Sequence, residues 1–260
     1  MQRSCWVVLV FLCVAVMGAD RRRQRGIQRR TSDNALQQKF ESIYTDLVWG
    51  DQGGGSGTGS GQETTQNARS ILRLVVNLFG IRSLADCPCG SMHWMPILLR
   101  DLRADVPGFQ YLGVDVVRKV IEGHRVNFQN NSHWMHFQAA DFTVSQLPQD
   151  VDLIFCRDAL QHLSLDKVVS ALELFSRSSA RFLLVGSYLE QSRNINITTG
   201  DYWDINLLVF PFELTGYEHA YSEHSKDNLP DEPNKFLLLF PMEYLRSVDY
   251  ERMMQRATLM

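Results

Sequence analysis

Four acidic residues in this chain follow short apolar runs: Asp86 in "LADCPCG", Asp115 in "YLGVD", Asp141 in "AAD" and Asp158 in "CRD". If those runs are neighbouring strands, the carboxylates gather at one edge. They would repel one another unless a polyhydroxy or amine-bearing ligand spreads among them. That acidity argues against a pyrophosphate. A dinucleotide would also want G-x-G-x-x-G and a free helix N-terminus, whereas here Pro88 sits in mid-loop and Gly90 is the one loop glycine. The loop also carries Cys87 and Cys89, a thiol pair that could serve a metal or a disulfide. Zinc would need two further ligands at suitable spacing, and the chain offers Cys156 and scattered His such as His93. The reading adopted is no metal, with Cys89 in the turn and Cys87 and Cys156 packing as small apolar groups. A Cys87–Cys156 bridge stays open for an oxidising compartment.

His162 follows Asp158 by four residues. On a helix starting near 158 the two share a face, where His162 could take a proton near neutral pH while Asp158 orients it. The plainer alternative is that Asp158 caps the helix and His162 packs. Arg157 either clamps an anionic substrate or pairs with Asp86 or Asp158. Trp94 and Met95 read as core.

These residues need strands to hold them. Apolar, β-rich runs occur at 81–87, 111–117, 135–141, 151–158 and 181–188. Helical stretches separate them near 91–103, 118–129 and 165–178, and an amphipathic helix ending at Gly80 precedes them. Such alternation predicts an α/β protein with a doubly wound, mostly parallel Rossmann-like sheet of about seven strands and helices on both faces. The runs 205–210, 217–224 and 235–240 break the alternation and suggest a last helix or loop followed by an antiparallel hairpin. Ligands of such sheets sit beyond the carboxyl ends of the strands.

The remainder bounds the class. The 260 residues are 45% hydrophobic and 21% charged, as in an ordinary globular protein. Residues 1–30 hold seven Arg against one Asp, and the rest 19 basic against 28 acidic side chains. So acidic a body is a poor phosphate-backbone binder, and no nucleic-acid partner is expected. Residues 1–19 read as a signal peptide directing the chain to the secretory pathway, lumenal or secreted. The six Arg between Arg21 and Arg30 favour the alternative, an uncleaved anchor with the domain facing the cytosol. The membrane is then involved only through this segment. Asn130 and Asn196 lie in glycosylation acceptor triplets. The expected layout is a basic linker at 20–35, an N-terminal helix and glycine-rich stretch at 36–62, a main domain at 63–245 and a tail at 246–260. The glycine-rich run 53–61 alone suits either a linker or a mobile lid.

Taken together, "DCPCG", "YLGVD", "AAD" and "CRDALQHL" are similar to the successive motifs of class I S-adenosylmethionine-dependent methyltransferases. Trp49-Gly50, "SGTGS", "TGDYWDINL" and Pro211-Phe212 add a resemblance to a small bacterial-type branch over roughly residues 40–240. The resemblance implies S-adenosyl-L-methionine as cofactor. Asp86 and Gly90 would meet its methionine end, with Cys89 in the same turn and Arg157 at the fourth strand end. Asp115 would accept from the ribose hydroxyls and Asp141 from the adenine amine. Asp158 and His162 become the catalytic candidates, and lid is preferred to linker. Tyr44, Trp49, Thr199, Asp201 and Asn206 would contact a small-molecule or glycan-like acceptor. A catalytically inactive binding protein of the same fold is the alternative, with a dinucleotide-dependent oxidoreductase behind it.

Overall fold

The computed structural model describes residues 35–147, 150–223 and 234–260. The signal segment 1–19 and the basic linker up to residue 34 lie outside the described residues. Among the described residues no helix is long and apolar enough to cross a membrane.

Helix α1 spans 35–45 and buries Leu36 and Ile43. The chain then passes through two 3-10 turns, Gln52–Gly55 and Thr58–Ser60, into α2 (Gln66–Leu78). Five strands with three helices among them follow: β1 (Ser83–Asp86), α3 (Met95–Asp105), β2 (Gln110–Asp115), α4 (Arg118–Asn127), β3 (Met135–Ala139), β4 (Leu153–Cys156), α5 (Leu165–Ser176) and β5 (Phe182–Tyr188). The chain closes with β6 (His219–Ser222), β7 (Lys235–Pro241), α6 (Met242–Arg246) and α7 (Tyr250–Thr258).

The seven strands lie in the order β3-β2-β1-β4-β5-β7-β6. The first five are parallel, and β7 runs antiparallel to both β5 and β6. The expected architecture, with its antiparallel last hairpin, is therefore observed. Strand periodicity shows in the packing. Leu84, Leu153 and Phe155 point into a core with α2 and α3, while Ala85, Ile154 and Cys156 point into the opposite core with α5, α6 and α7. Both faces are covered, which is why β4 is buried at every position.

Of the two readings of residues 205–210, helix or loop, the loop is observed, pinned by buried Asn194, whose Nδ2 donates to the carbonyls of Asn206 and Phe210. The supposed tail carries α7, whose Tyr250, Met253 and Ala257 are buried in the α5 face of the sheet. Each large side chain so buried contributes about 1.5–3 kcal/mol, and Asp249 caps the helix by accepting from the Arg252 amide at 3.0 Å. Leu47, at helical spacing in the sequence, lies beyond α1 with φ +49° and half exposed.

Candidate active site

The strand order reverses between β1 and β4, so a crevice opens at their carboxyl ends. Parallel register sets Asp86 opposite Gly113 on one side and Phe155 on the other. A crevice enclosing about 880 Å³, its open mouth included, lies there. Its lining includes Asp86, Cys89, Gly90, Asp115, Asp141, Arg157, Asp158, His162, Tyr44 and Trp49. Ten of the thirteen site residues expected from the sequence thus share one cavity.

The floor is acidic and buried, with Asp86, Asp115 and Asp141 each at most 5% exposed. Asp86 accepts from the Tyr111 hydroxyl at 2.8 Å. Burial pushes its carboxyl up to about 8; the Tyr111 bond and Arg157 pull it down, and Asp115 pushes it further up. Asp115 accepts from the amides of Gly90 (3.1 Å) and Val117 (2.9 Å). Burial raises it to about 6, although those amides and that of Val116 favour the ion. Asp141 accepts at 2.8 and 2.7 Å from the amide and hydroxyl of Thr143, beside Phe142 in the lining.

Gly90 is held at both ends of its residue. Its amide donates to Asp115, and its carbonyl lies 2.7 Å from His124 Nε2 on α4. Its φ of +55° suits glycine, and an added Cβ would stand 2.8 Å from Ser56 Oγ. That serine belongs to the glycine-rich run. Ser56 Oγ also accepts from the Ser91 amide at 2.9 Å and shares a 2.7 Å bond with the Tyr44 hydroxyl. At the other end of the run Arg157 Nη1 donates to the Gly59 carbonyl at 3.0 Å, and Gly59 lies so close to Asp158 that a Cβ would come within 3.0 Å of Oδ2. The run covers the cavity from both sides.

Arg157 and Asp158 belong to an ion-pair quartet in which Arg157 and Glu223 are buried and Asp158 and Lys235 are partly exposed. Arg157 pairs with Glu223 at the end of β6 (Nη2–Oε2 2.8 Å) and with Asp158 (2.6 Å), while Lys235 Nζ reaches Asp158 at 2.6 Å and Glu223 at 3.4 Å. Burial alone would raise Asp158, but Arg157 and Lys235 outweigh it and hold the carboxyl well below the usual carboxylate range. No bond joins Arg157 to Asp86, so of the proposed pairings only Asp158 is met.

His162 ends a 3-10 turn, Leu160–His162, rather than lying on a helix from 158. Its Nδ1 sits 2.9 Å from the Asp201 carbonyl, which fixes its orientation in place of Asp158. A carbonyl only accepts, so Nδ1 carries the proton and Nε2 keeps the lone pair. Burial lowers the imidazole below its ordinary value, against the raising influence of that carbonyl and of Asp158. Trp49 packs on the ring at 4.5 Å and Tyr202 at 5.5 Å between centroids.

Three expected acceptor contacts lie outside the lining. Thr199 Oγ1 accepts from the Ser164 amide at 3.1 Å, where α5 begins. Buried Asn206 donates to the carbonyls of Leu189 and Gln191 and accepts from the Leu208 amide. Both hold backbone. Asp201 acts through its carbonyl, and its residue is exposed. Trp94 and Met95, read as core, are both buried in it, and Trp94 also lines the cavity with the Arg157 guanidinium 5.9 Å from its ring. The sequence reading also missed Ser56, Tyr111, His124, Glu223 and Lys235. Cys87, Cys89 and Cys156 are buried free thiols. Among the described residues no group of three or more His, Cys, Asp or Glu could hold a metal ion.

No family model matches the sequence, and no curated protein matches it. Solved structures match by fold. Magnesium protoporphyrin IX methyltransferase from Synechocystis PCC 6803, solved with bound SAM, superposes with a TM-score of 0.52 at 15% identity, over 80% of this chain and 95% of that one. The methyltransferase domain of a bacterial protein, CtHen1-CN, gives 0.52 at 14% identity, over 68% of this chain and 99% of that one. Human N-acetylserotonin methyltransferase in complex with SAM also matches (TM-score 0.48, 17% identity, 69% of this chain), and the present chain spans only 53% of its length. The likeness shows the fold: this is a Rossmann-like methyltransferase fold.

Proposed function

We propose that the protein is an S-adenosylmethionine-dependent methyltransferase acting on a small-molecule acceptor. The observation that carries this reading is the convergence of Asp86, Asp115 and Asp141, each at or just beyond the end of a successive strand, on one cavity with Gly90 held between Asp115 and His124.

The residues fit the cofactor. Asp115 offers its carboxylate to a ribose diol, and Asp141 with the Phe142 ring suits an adenine. Asp86, which burial leaves ready to hold a proton, faces the region where a cationic ligand would favour its ionised form. The close approach at Gly90 leaves no room for a Cβ. When bound, the cofactor supplies an electrophilic methyl group. The chain's own part is to exclude water with the Ser56–Gly59 cover, to orient the acceptor against Trp49 and Tyr44, and to receive a proton at His162 Nε2. That retained lone pair favours turnover over an inactive binding module.

Calorimetric titration with S-adenosylhomocysteine tests the reading. Saturable binding is expected, weakened about 10-fold or more by Asp115→Asn, since a hydrogen bond to a charged group contributes about 1.5–3 kcal/mol. No heat of binding to the folded protein would remove the proposal.

A further inference from the structure

We propose that the acceptor is an uncharged, flat aromatic compound that presents a phenol-type hydroxyl to His162. The inference rests on the methyltransferase reading and adds the acceptor's class to it.

Three observations point this way. The first is charge. Arg157 is the one guanidinium or ammonium among the described residues lining the cavity, and Glu223, Asp158 and the Gly59 carbonyl occupy it. Lys235 beside it is shared between Asp158 and Glu223. Two cations and two anions cancel, so no lining cation is left for a carboxylate or phosphate. Lys39 lies over Gly200 outside the lining, exposed to water that screens it.

The second is polarity. A hydroxyl-rich acceptor needs several polar partners, yet Thr199 and Asn206 are spent on backbone groups. Aromatic faces surround His162 instead. Phe40, Tyr44 and Trp49 line the cavity, with Trp49 packed on the His162 ring and 5.9 and 6.3 Å from Phe40 and Tyr44, while Tyr202 supports the ring from outside the lining. Such walls favour a flat ring.

The third is acidity. No partner of His162 Nε2 occurs among the described residues, so a hydroxyl can donate there. A phenol loses its proton near pH 10, within reach of an imidazole, whereas an aliphatic hydroxyl behaves more like water at about 15.7. In the transfer the phenol proton passes to Nε2 and the oxygen lone pair forms the new C–O bond. The methyl–sulfur bond breaks with its electron pair on sulfur, leaving a neutral thioether, and the imidazolium then returns its proton to water.

The test uses the full chain saturated with S-adenosylhomocysteine, with tryptophan fluorescence as readout. A library of uncharged phenols is titrated, each matched to an analogue carrying one added carboxylate, alongside neutral glycosides. Uncharged phenols are expected to bind at least about 30-fold more tightly than their carboxylated partners and the glycosides. With S-adenosylmethionine the expected product is the O-methyl ether. His162→Ala should lower its formation at least about 100-fold while S-adenosylhomocysteine affinity stays within about threefold, which shows that the variant is folded. Equal or tighter binding of carboxylates or glycosides, methylation at nitrogen or carbon, or no phenol bound by protein that binds S-adenosylhomocysteine would each overturn the inference. Absence of S-adenosylhomocysteine binding would remove the methyltransferase reading beneath it.

Discussion

Arg157, just past β4, and Glu223, just past β6, meet as a buried ion pair, with Nε at 2.9 Å and Nη2 at 2.8 Å from the same carboxylate oxygen. The two residues are 66 positions apart, so the last hairpin reaches back to fix the chemistry-bearing end of the fourth strand. Truncation at Glu223 would leave Arg157 inside the protein with Asp158 already shared with Lys235. Glu223→Ala should therefore cost about 3–5 kcal/mol in urea unfolding, the range for breaking a buried pair. A loss below about 1 kcal/mol would mean that water reaches the guanidinium.

Ser56 makes a second cross-link, this time between the first strand's loop and the cover, its Oγ accepting from the Ser91 amide next to Gly90. Gly90→Ala places a methyl 2.8 Å from Ser56 Oγ on a backbone at φ +55°. The left-handed conformation alone costs about 1–2 kcal/mol for a residue with a Cβ. The variant should also bind S-adenosylhomocysteine more weakly, because the cover must shift. Combining it with Ser56→Gly removes the clash but not the conformational cost, so calorimetry should find affinity partly regained and thermal unfolding still lowered. Equal affinity in both variants would show that the cover does not bear on the ligand.

Asn206 gives the opposite expectation to the one its loop position suggests. Its amide satisfies two carbonyls and one backbone amide, all part-buried. Asn206→Ala strands those groups, at about 1–3 kcal/mol each, and a fall in stability of that order or more is expected by urea titration. S-adenosylhomocysteine affinity in the folded fraction should be unchanged. A selective loss of ligand binding with stability intact would return Asn206 to the site.

The fold was legible because β4, β5 and β7 carry the apolar runs "LIF", "FLLV" and "FLLLF", because helix-length segments follow β1, β2 and β4, and because strand-end acids recur at Asp86, Asp115, Asp141 and Asp158. What stayed hidden depends on residues that meet only in three dimensions. Glu223, Lys235, Tyr111 and His124 are single polar positions on elements whose pattern says nothing about what they reach. Thr199 and Asn206 were misassigned for a related reason. A polar side chain in a loop looks alike whether it serves a ligand or a stranded carbonyl. By contrast α7 was open to detection, since Tyr250, Met253 and Ala257 stand at helical spacing; its short length and many charges masked the stripe.

Asp86 sets the sign of a pH effect. Its carboxyl titrates at about 8 in the folded protein, mainly through burial, against about 3.9 for an unperturbed Asp. Between those values the unfolded chain has lost the proton and the folded chain keeps it. The folded state then binds more protons, so this residue makes stability fall as pH rises from about 4 to 8 and adds no slope above. Asp115, raised to about 6, contributes in the same sense over the lower part of that window. Asp158, depressed by Arg157 and Lys235, acts oppositely: its contribution is present above the unfolded value and is lost as pH falls through the folded one. Asp86→Asn keeps the shape and removes the titration. Urea unfolding across pH 5 to 9 should show the variant gaining on the natural protein as pH rises, with the difference levelling off near 8. Parallel curves for the two proteins would mean that Asp86 is ionised at neutral pH, and that the floor of the cavity is wetter than its burial implies.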